Sequence, residues 1–176
     1  MTSRLTDEDS DGNSQSPTGR VGMKIQYVQG DMFASDIATI VHGCNAQGRM
    51  GSGVAKLIKT IYPAAYDAYM RAFDQPRQPK VGDVVWAEVD GKTIANAITQ
   101  EFYGSDGARY VSYEGVRRAF RTINAVIAGQ DDKRLCMPLI GAGLGGGSWP
   151  TIAAIIEEEC THTQPVVYTL DGVIPA

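Results

Sequence analysis

Val41-His42-Gly43-Cys44-Asn45-Ala46-Gln47-Gly48-Arg49-Met50-Gly51-Ser52-Gly53-Val54-Ala55 joins two kinds of structure. It leaves a nearly continuous apolar run, Ile37 to Val41, which reads as a buried strand. It enters Gly51 to Ile61, where Val54, Leu57, Ile58 and Ile61 recur at helical spacing. Four glycines in the span let backbone approach a ligand closely, and the helix start beyond them presents free amides and the positive end of a dipole. The spacing in this loop matches neither GxxxxGK[ST] nor GxGxxG, so the loop is neither a P-loop nor a dinucleotide fingerprint.

A second junction of this kind lies further along. Pro138-Leu139-Ile140-Gly141-Ala142-Gly143-Leu144-Gly145-Gly146-Gly147-Ser148-Trp149 follows the apolar run Leu135 to Ile140, with five glycines in seven positions. Such a segment can form a concave ring of amides suited to a diphosphate, with the N-terminus of a helix over Pro150 to Cys160 behind it. One glycine-rich loop alone fits a flexible turn equally well. Two of them, each after a buried strand, point to one ligand site.

Outward from these loops, strands and helices alternate. Lys24 to Val28 alternates polar and apolar residues as a strand does, and Ala64 to Phe73 reads as a short helix closed by the loop around Pro76 and Pro79. Asp83 to Val89 and Lys92 to Ile98 are β-prone runs joined by Asp90-Gly91, a hairpin signal. Ser112 to Ile127 carries Val116, Phe120, Ile123, Val126 and Ile127 at helical spacing, with Ser112 as N-cap and Gly129 as stop, and Val166 to Leu170 reads as a last strand. The fold class is α/β: a mixed sheet with one antiparallel hairpin, covered by helices on both faces. Ligands of such sheets bind at the carboxyl ends of strands.

The 176 residues have room for one domain, and 43% hydrophobic against 20% charged residues is enough to bury a core. Residues 1–22, almost without apolar side chains, are expected to form a disordered leader, native or added, ahead of a domain over 23–176. A net charge of −4 disfavours a nucleic-acid partner and leaves a small anion open. Cys44, Cys136 and Cys160 form no CxxC pair, and no HExxH or clustered ligand set occurs, so neither a metal nor a cofactor is expected. No apolar run approaches a membrane span, and a cytoplasmic monomer with reduced thiols is the expectation. Trp86 and Trp149 are read as packing anchors, and His162 as a charge complement near a helix end.

Three groups of residues, in this order, resemble the macrodomain family: Gly30-Asp31-Met32-Phe33; His42-Gly43-Cys44-Asn45 with Met50-Gly51-Ser52-Gly53-Val54-Ala55; and Gly141-Ala142-Gly143-Leu144 with Trp149. The closing Val167-Tyr168-Thr169-Leu170 agrees, and the resemblance spans Met23 to Leu170. It implies a macrodomain-like three-layer α/β/α fold with ADP-ribose or ADP-ribose 1″-phosphate as ligand. It also implies roles: Asp31 for the adenine amino group, with the backbone at Met32 reading the base; Asn45, Met50, Gly51, Ser52, Gly53 and Val54 at the distal ribose; and Ile140, Gly141, Ala142, Gly143, Leu144, Gly145 and Gly146 around the diphosphate. Tyr103, in the loop Phe102 to Gly107, is a candidate aromatic wall over the distal ribose.

The chain looks most similar to the branch holding ADP-ribose 1″-phosphate phosphatases and ADP-ribose glycohydrolases. In the phosphatases a histidine in the matching stretch is implicated in catalysis, which makes His42 the expected nucleophile or general acid/base, with loop amides stabilising phosphoryl charge. The glycohydrolases use a lysine and an aspartate where this chain has Gln100 and Gly145, so that route lacks its reagents here. The reading is a phosphatase acting on ADP-ribose 1″-phosphate. The alternatives are a non-catalytic ADP-ribose reader, or a hydrolase removing ADP-ribose from protein or nucleic acid.

Overall fold

The computed structural model describes residues 21–176. The leader expected over 1–22 lies outside the described residues except for Val21 and Gly22. Six strands form one sheet: β1 (Gln26–Gln29), β2 (Thr39–Asn45), β3 (Val84–Val89), β4 (Lys92–Gln100), β5 (Arg134–Met137) and β6 (Gln164–Thr169). Their order is β1-β6-β5-β2-β4-β3, parallel throughout except for β3, which pairs antiparallel with β4. The hairpin turn has the expected chemistry, with Asp90 at φ 51 and Gly91 at φ 73, both on the positive side that a right-handed hairpin twist requires.

Four helices cover the sheet: α1 (Gly53–Ile61), α2 (Pro63–Phe73), α3 (Tyr113–Ile127) and α4 (Trp149–Glu159). On one face α3 and α4 bury Phe120, Ile123, Ile152 and Ile156 against Val41, Ala95, Leu135 and Val167. On the other, α1 and α2 bury Ile58, Ala65 and Tyr69 against Ile40, Cys44, Ile94 and Ile98. Alternate residues of β2 therefore enter different cores, as the two-residue strand period demands. This is the three-layer arrangement with a mixed sheet that the sequence implies.

Several boundaries moved. β2 runs on to Asn45 and β4 to Gln100, because both are central and keep their ladder to the strand ends. β5 stops at Met137, since Pro138 begins the glycine segment and has no amide to donate. A single 3₁₀ turn, Met32–Ala34, follows β1, capped by Asp31 Oδ1 accepting from the Phe33 amide at 2.9 Å.

Candidate functional site

β2 and β5 are neighbours, so the loops leaving their carboxyl ends face one another. Between them lies a cavity of about 670 Å³, lined by the first loop from Gly48 to Ala55, the second from Pro138 to Gly145, the end of β4 (Thr99 and Gln100), and Tyr103 with Gly104. Gly53 and Gly141 take φ +57 and +74, conformations a side chain would strain, and Leu144 reaches within 3.6 Å of where a Gly53 Cβ would stand. The two loops thus close over the cavity.

The backbone leaves donors pointing at it. Ser52 caps α1 without a side-chain hydrogen bond, and among the described residues the amides from Gly53 to Ala55 meet no protein acceptor. In the second loop, Ala142 donates to Leu139, Gly146 to Gly143 and Gly147 to Gly141, while the amides of Gly143, Leu144 and Gly145 are left over. Arg49 and Lys59 line the same cavity, and among the described residues no carboxylate does. Uncapped amides, a helix N-terminus and two cations without an acid make a site for an anion.

The first loop is held in shape from beneath. Asn45 Oδ1 accepts from the Gln47 and Arg49 amides at 3.0 and 3.3 Å, and its Nδ2 donates to the Arg49 carbonyl at 2.8 Å. Tyr69, fully buried on α2, donates to the Asn45 carbonyl at 2.6 Å, and burial pushes its phenol well above the ordinary range. Asn45 lines the cavity as expected, but most of its hydrogen-bonding capacity organises the loop, and one Nδ2 hydrogen remains for a ligand.

Of the expected site residues, Asn45, Met50, Gly51, Ser52, Gly53, Val54, Tyr103, Ile140, Gly141, Gly143, Leu144 and Gly145 line this cavity together. Asp31, Met32, Ala142 and Gly146 do not. Met32 is buried in the core under α1 and α2, Ala142 packs towards the α3/α4 core, and a Cβ at Gly146 would stand 2.5 Å from the Ala108 carbonyl, which shows that residue facing a neighbouring loop.

His42 corrects the catalytic expectation. Its side chain is on the α1/α2 face of β2, 0% exposed, and outside the cavity lining. Nε2 lies 2.6 Å from Asn96 Oδ1, and Asn96 Nδ2 donates to the Ala65 carbonyl at 3.2 Å, so the pair ties sheet to helix α2. Burial lowers the imidazole pKa to about 4, against the opposing bond from Asn96, and the ring is neutral near pH 7. A group sealed in this way cannot reach a substrate phosphorus. Cys44 does border the cavity, but burial pushes its thiol far above the ordinary value, so it offers no thiolate.

Sequence reasoning missed Arg49, Lys59, Tyr66 and Thr99 as cavity residues. Lys59 was within reach, because it stands four residues beyond Ala55 and so on the same helical face; its ammonium sits 4.1 Å over the Tyr66 ring. Tyr66 comes from the next helix, and nothing local marks it. A second hollow of about 500 Å³, between the end of α2, β3 and α3, contains Arg77, Arg118 and Arg121, but Arg77 is paired with Asp83 and Arg121 with Glu159. Among the described residues no group of three or more His, Cys, Asp or Glu could hold a metal ion, and no helix is long and apolar enough to cross a membrane. Trp149 is 2% exposed and donates to the Tyr27 hydroxyl at 3.1 Å, a packing role.

Fold and site define an α/β domain that receives an anion at the carboxyl edge of its sheet, between two glycine-rich loops. The Macro domain model matches residues 41–156, and the chain belongs to the macrodomain family. It is 32% identical over 152 residues to the ADP-ribose glycohydrolase OARD1 of Bos taurus, covering 85% of this chain and 93% of the relative. It is 48% identical to the ADP-ribose 1″-phosphate phosphatase of Neosartorya fischeri, but over only 50 residues, 28% of this chain and 25% of that one. Among solved structures, the macrodomain protein from Streptomyces coelicolor superposes with a TM-score of 0.67 at 26% identity, covering 83% of this chain and 98% of that one.

Proposed function

We propose that this macrodomain binds ADP-ribose in the cavity between its two glycine loops and acts as a hydrolase on ADP-ribose derivatives, with ADP-ribose 1″-phosphate as substrate. The observation that carries the reading is the donor set: leftover amides on both loops, with Arg49 and Lys59 and no carboxylate beside them. A diphosphate fits the second loop and the distal ribose the first, where Asn45 keeps one free donor. Asp31, outside the cavity lining at the cap of the Met32–Ala34 turn, keeps a second carboxylate oxygen for an adenine that extends beyond the two loops, and Tyr103 supplies a wall at the distal end.

A terminal phosphate is supported by charge and by what the cavity lacks. Arg49 and Lys59 both belong to the first-loop side, where a 1″-phosphate would bring added negative charge. Gln100 and Gly145 stand where the glycohydrolase route has its lysine and aspartate, so that route lacks its reagents at those positions. Hydrolysis would use water, with amides and the two cations stabilising phosphoryl charge. The reader alternative is favoured by one observation: with His42 sealed away, the cavity lining holds, among the described residues, neither a histidine nor a carboxylate.

Titration calorimetry with ADP-ribose, run beside a phosphate-release assay on ADP-ribose 1″-phosphate, separates these. Binding with release supports the phosphatase; binding without release leaves a reader; absence of binding ends both. Arg49→Gln is expected to weaken binding of ADP-ribose 1″-phosphate roughly fivefold more than that of ADP-ribose.

A further inference from the structure

β2 and β4 pair in step from Thr39↔Thr93 to Cys44↔Ile98, and then Asn45 pairs with Gln100. Thr99 is the extra residue of a β-bulge. Bulges re-aim side chains at the ends of strands, and this one lies at the floor of the ligand cavity. The Thr99 carbonyl is used, accepting from the Ser112 amide at 2.8 Å. Its hydroxyl is not: it is buried in a residue 1% exposed, and it is the one buried side-chain polar atom among the described residues without a hydrogen-bond partner in the protein.

The neighbouring strand comes close beside it. A Cβ at Gly43 would stand 2.9 Å from Thr99 Oγ1 and 3.2 Å from Ile140 Cγ1, so any larger residue on β2 would cover the hydroxyl. Gly43, Thr99 and Ile140 all line the cavity, at the point where the two loops meet. A buried unpaired hydroxyl is costly to keep, and here it belongs to a cavity-lining residue, in a narrow niche beside a glycine.

We propose that Thr99 Oγ1 is a specificity-determining contact that hydrogen-bonds an oxygen of the distal ribose, and that Gly43 is glycine because a side chain there would close this niche. The inference rests on the ADP-ribose reading of the cavity. A hydroxyl can donate to or accept from a ribose hydroxyl, and Thr99 stands at the bulge just before Gln100, which pairs with Asn45. The niche makes the protein favour ligands that carry a distal ribose over those that end at the diphosphate.

The experiment is calorimetry of ADP-ribose and of ADP, which lacks the distal ribose, against the wild-type chain, Thr99→Val and Thr99→Ser, with thermal melts of each. Thr99→Val keeps the shape and removes the hydroxyl. Because that hydroxyl has no protein partner, the variant should melt no lower than wild type, while its affinity for ADP-ribose falls about tenfold and its affinity for ADP is unchanged. Thr99→Ser should restore ADP-ribose binding to within about twofold. Equal affinity of Thr99→Val and wild type for ADP-ribose overturns the proposal alone, as does an equal loss for both ligands, which would place the hydroxyl on the diphosphate. A wild type that fails to bind ADP-ribose overturns the reading of the cavity and this proposal with it. Gly43→Ala, folded by its melt, should reproduce the Thr99→Val pattern; ADP-ribose affinity like wild type would contradict the niche.

Discussion

Two residues show how little a side chain's chemistry decides without its position. His42 has the right type for acid–base work and sits in a family-like stretch, yet strand alternation sends it into the α1/α2 core with Asn96. Its folded pKa of about 4 lies below the ordinary 6.5, so between these values the unfolded chain takes up a proton that the folded chain refuses. Stability from this residue is complete above pH 6.5 and is lost as pH falls toward 4, by on the order of 3 kcal/mol. Urea unfolding at pH 7 and pH 4.5 should show a smaller acid loss in His42→Gln than in wild type; identical losses would refute the assignment. Gly145 is the counterpart in the second loop. A Cβ there would stand 2.6 Å from the Gly141 carbonyl, so Gly145→Asp is expected not to create a glycohydrolase but to distort the loop, lowering ADP-ribose affinity by at least about tenfold in calorimetry.

At the scale of elements, local signals were readable wherever they act through their own neighbours. Ser112 caps α3, its hydroxyl accepting from the Gly115 amide at 3.0 Å, and Ser112→Ala should cost about 1 kcal/mol in denaturant unfolding. The Asp90-Gly91 turn was legible for the same reason, and Gly91→Ala, at φ +73, should destabilise by about 1 kcal/mol, read from the same unfolding curves. Strand ends were less legible. That β4 reaches Gln100 and bulges at Thr99 depends on its pairing with β2, fifty-odd positions away in the chain, and no periodicity within β4 encodes it. Tyr69 bracing the first loop from α2 is invisible for the same reason.

For the whole molecule, the layer order and the meeting of two glycine loops followed from alternating elements, because parallel strands place their carboxyl ends on one edge. The cations of the site followed less well, since Arg49 and Lys59 gain meaning only when the sheet brings both loops around one cavity. In the proposed mode of binding, free amides of both loops hold a single ADP-ribose. Amide chemical-shift mapping of the ¹⁵N-labelled protein during titration with ADP-ribose reads those amides one by one. Saturation is expected at one equivalent, with the largest shifts at Gly53 to Ala55 and Gly143 to Gly145 and little change at His42. Shifts confined to the hollow around Arg77 and Arg118, or none that saturate, would contradict it.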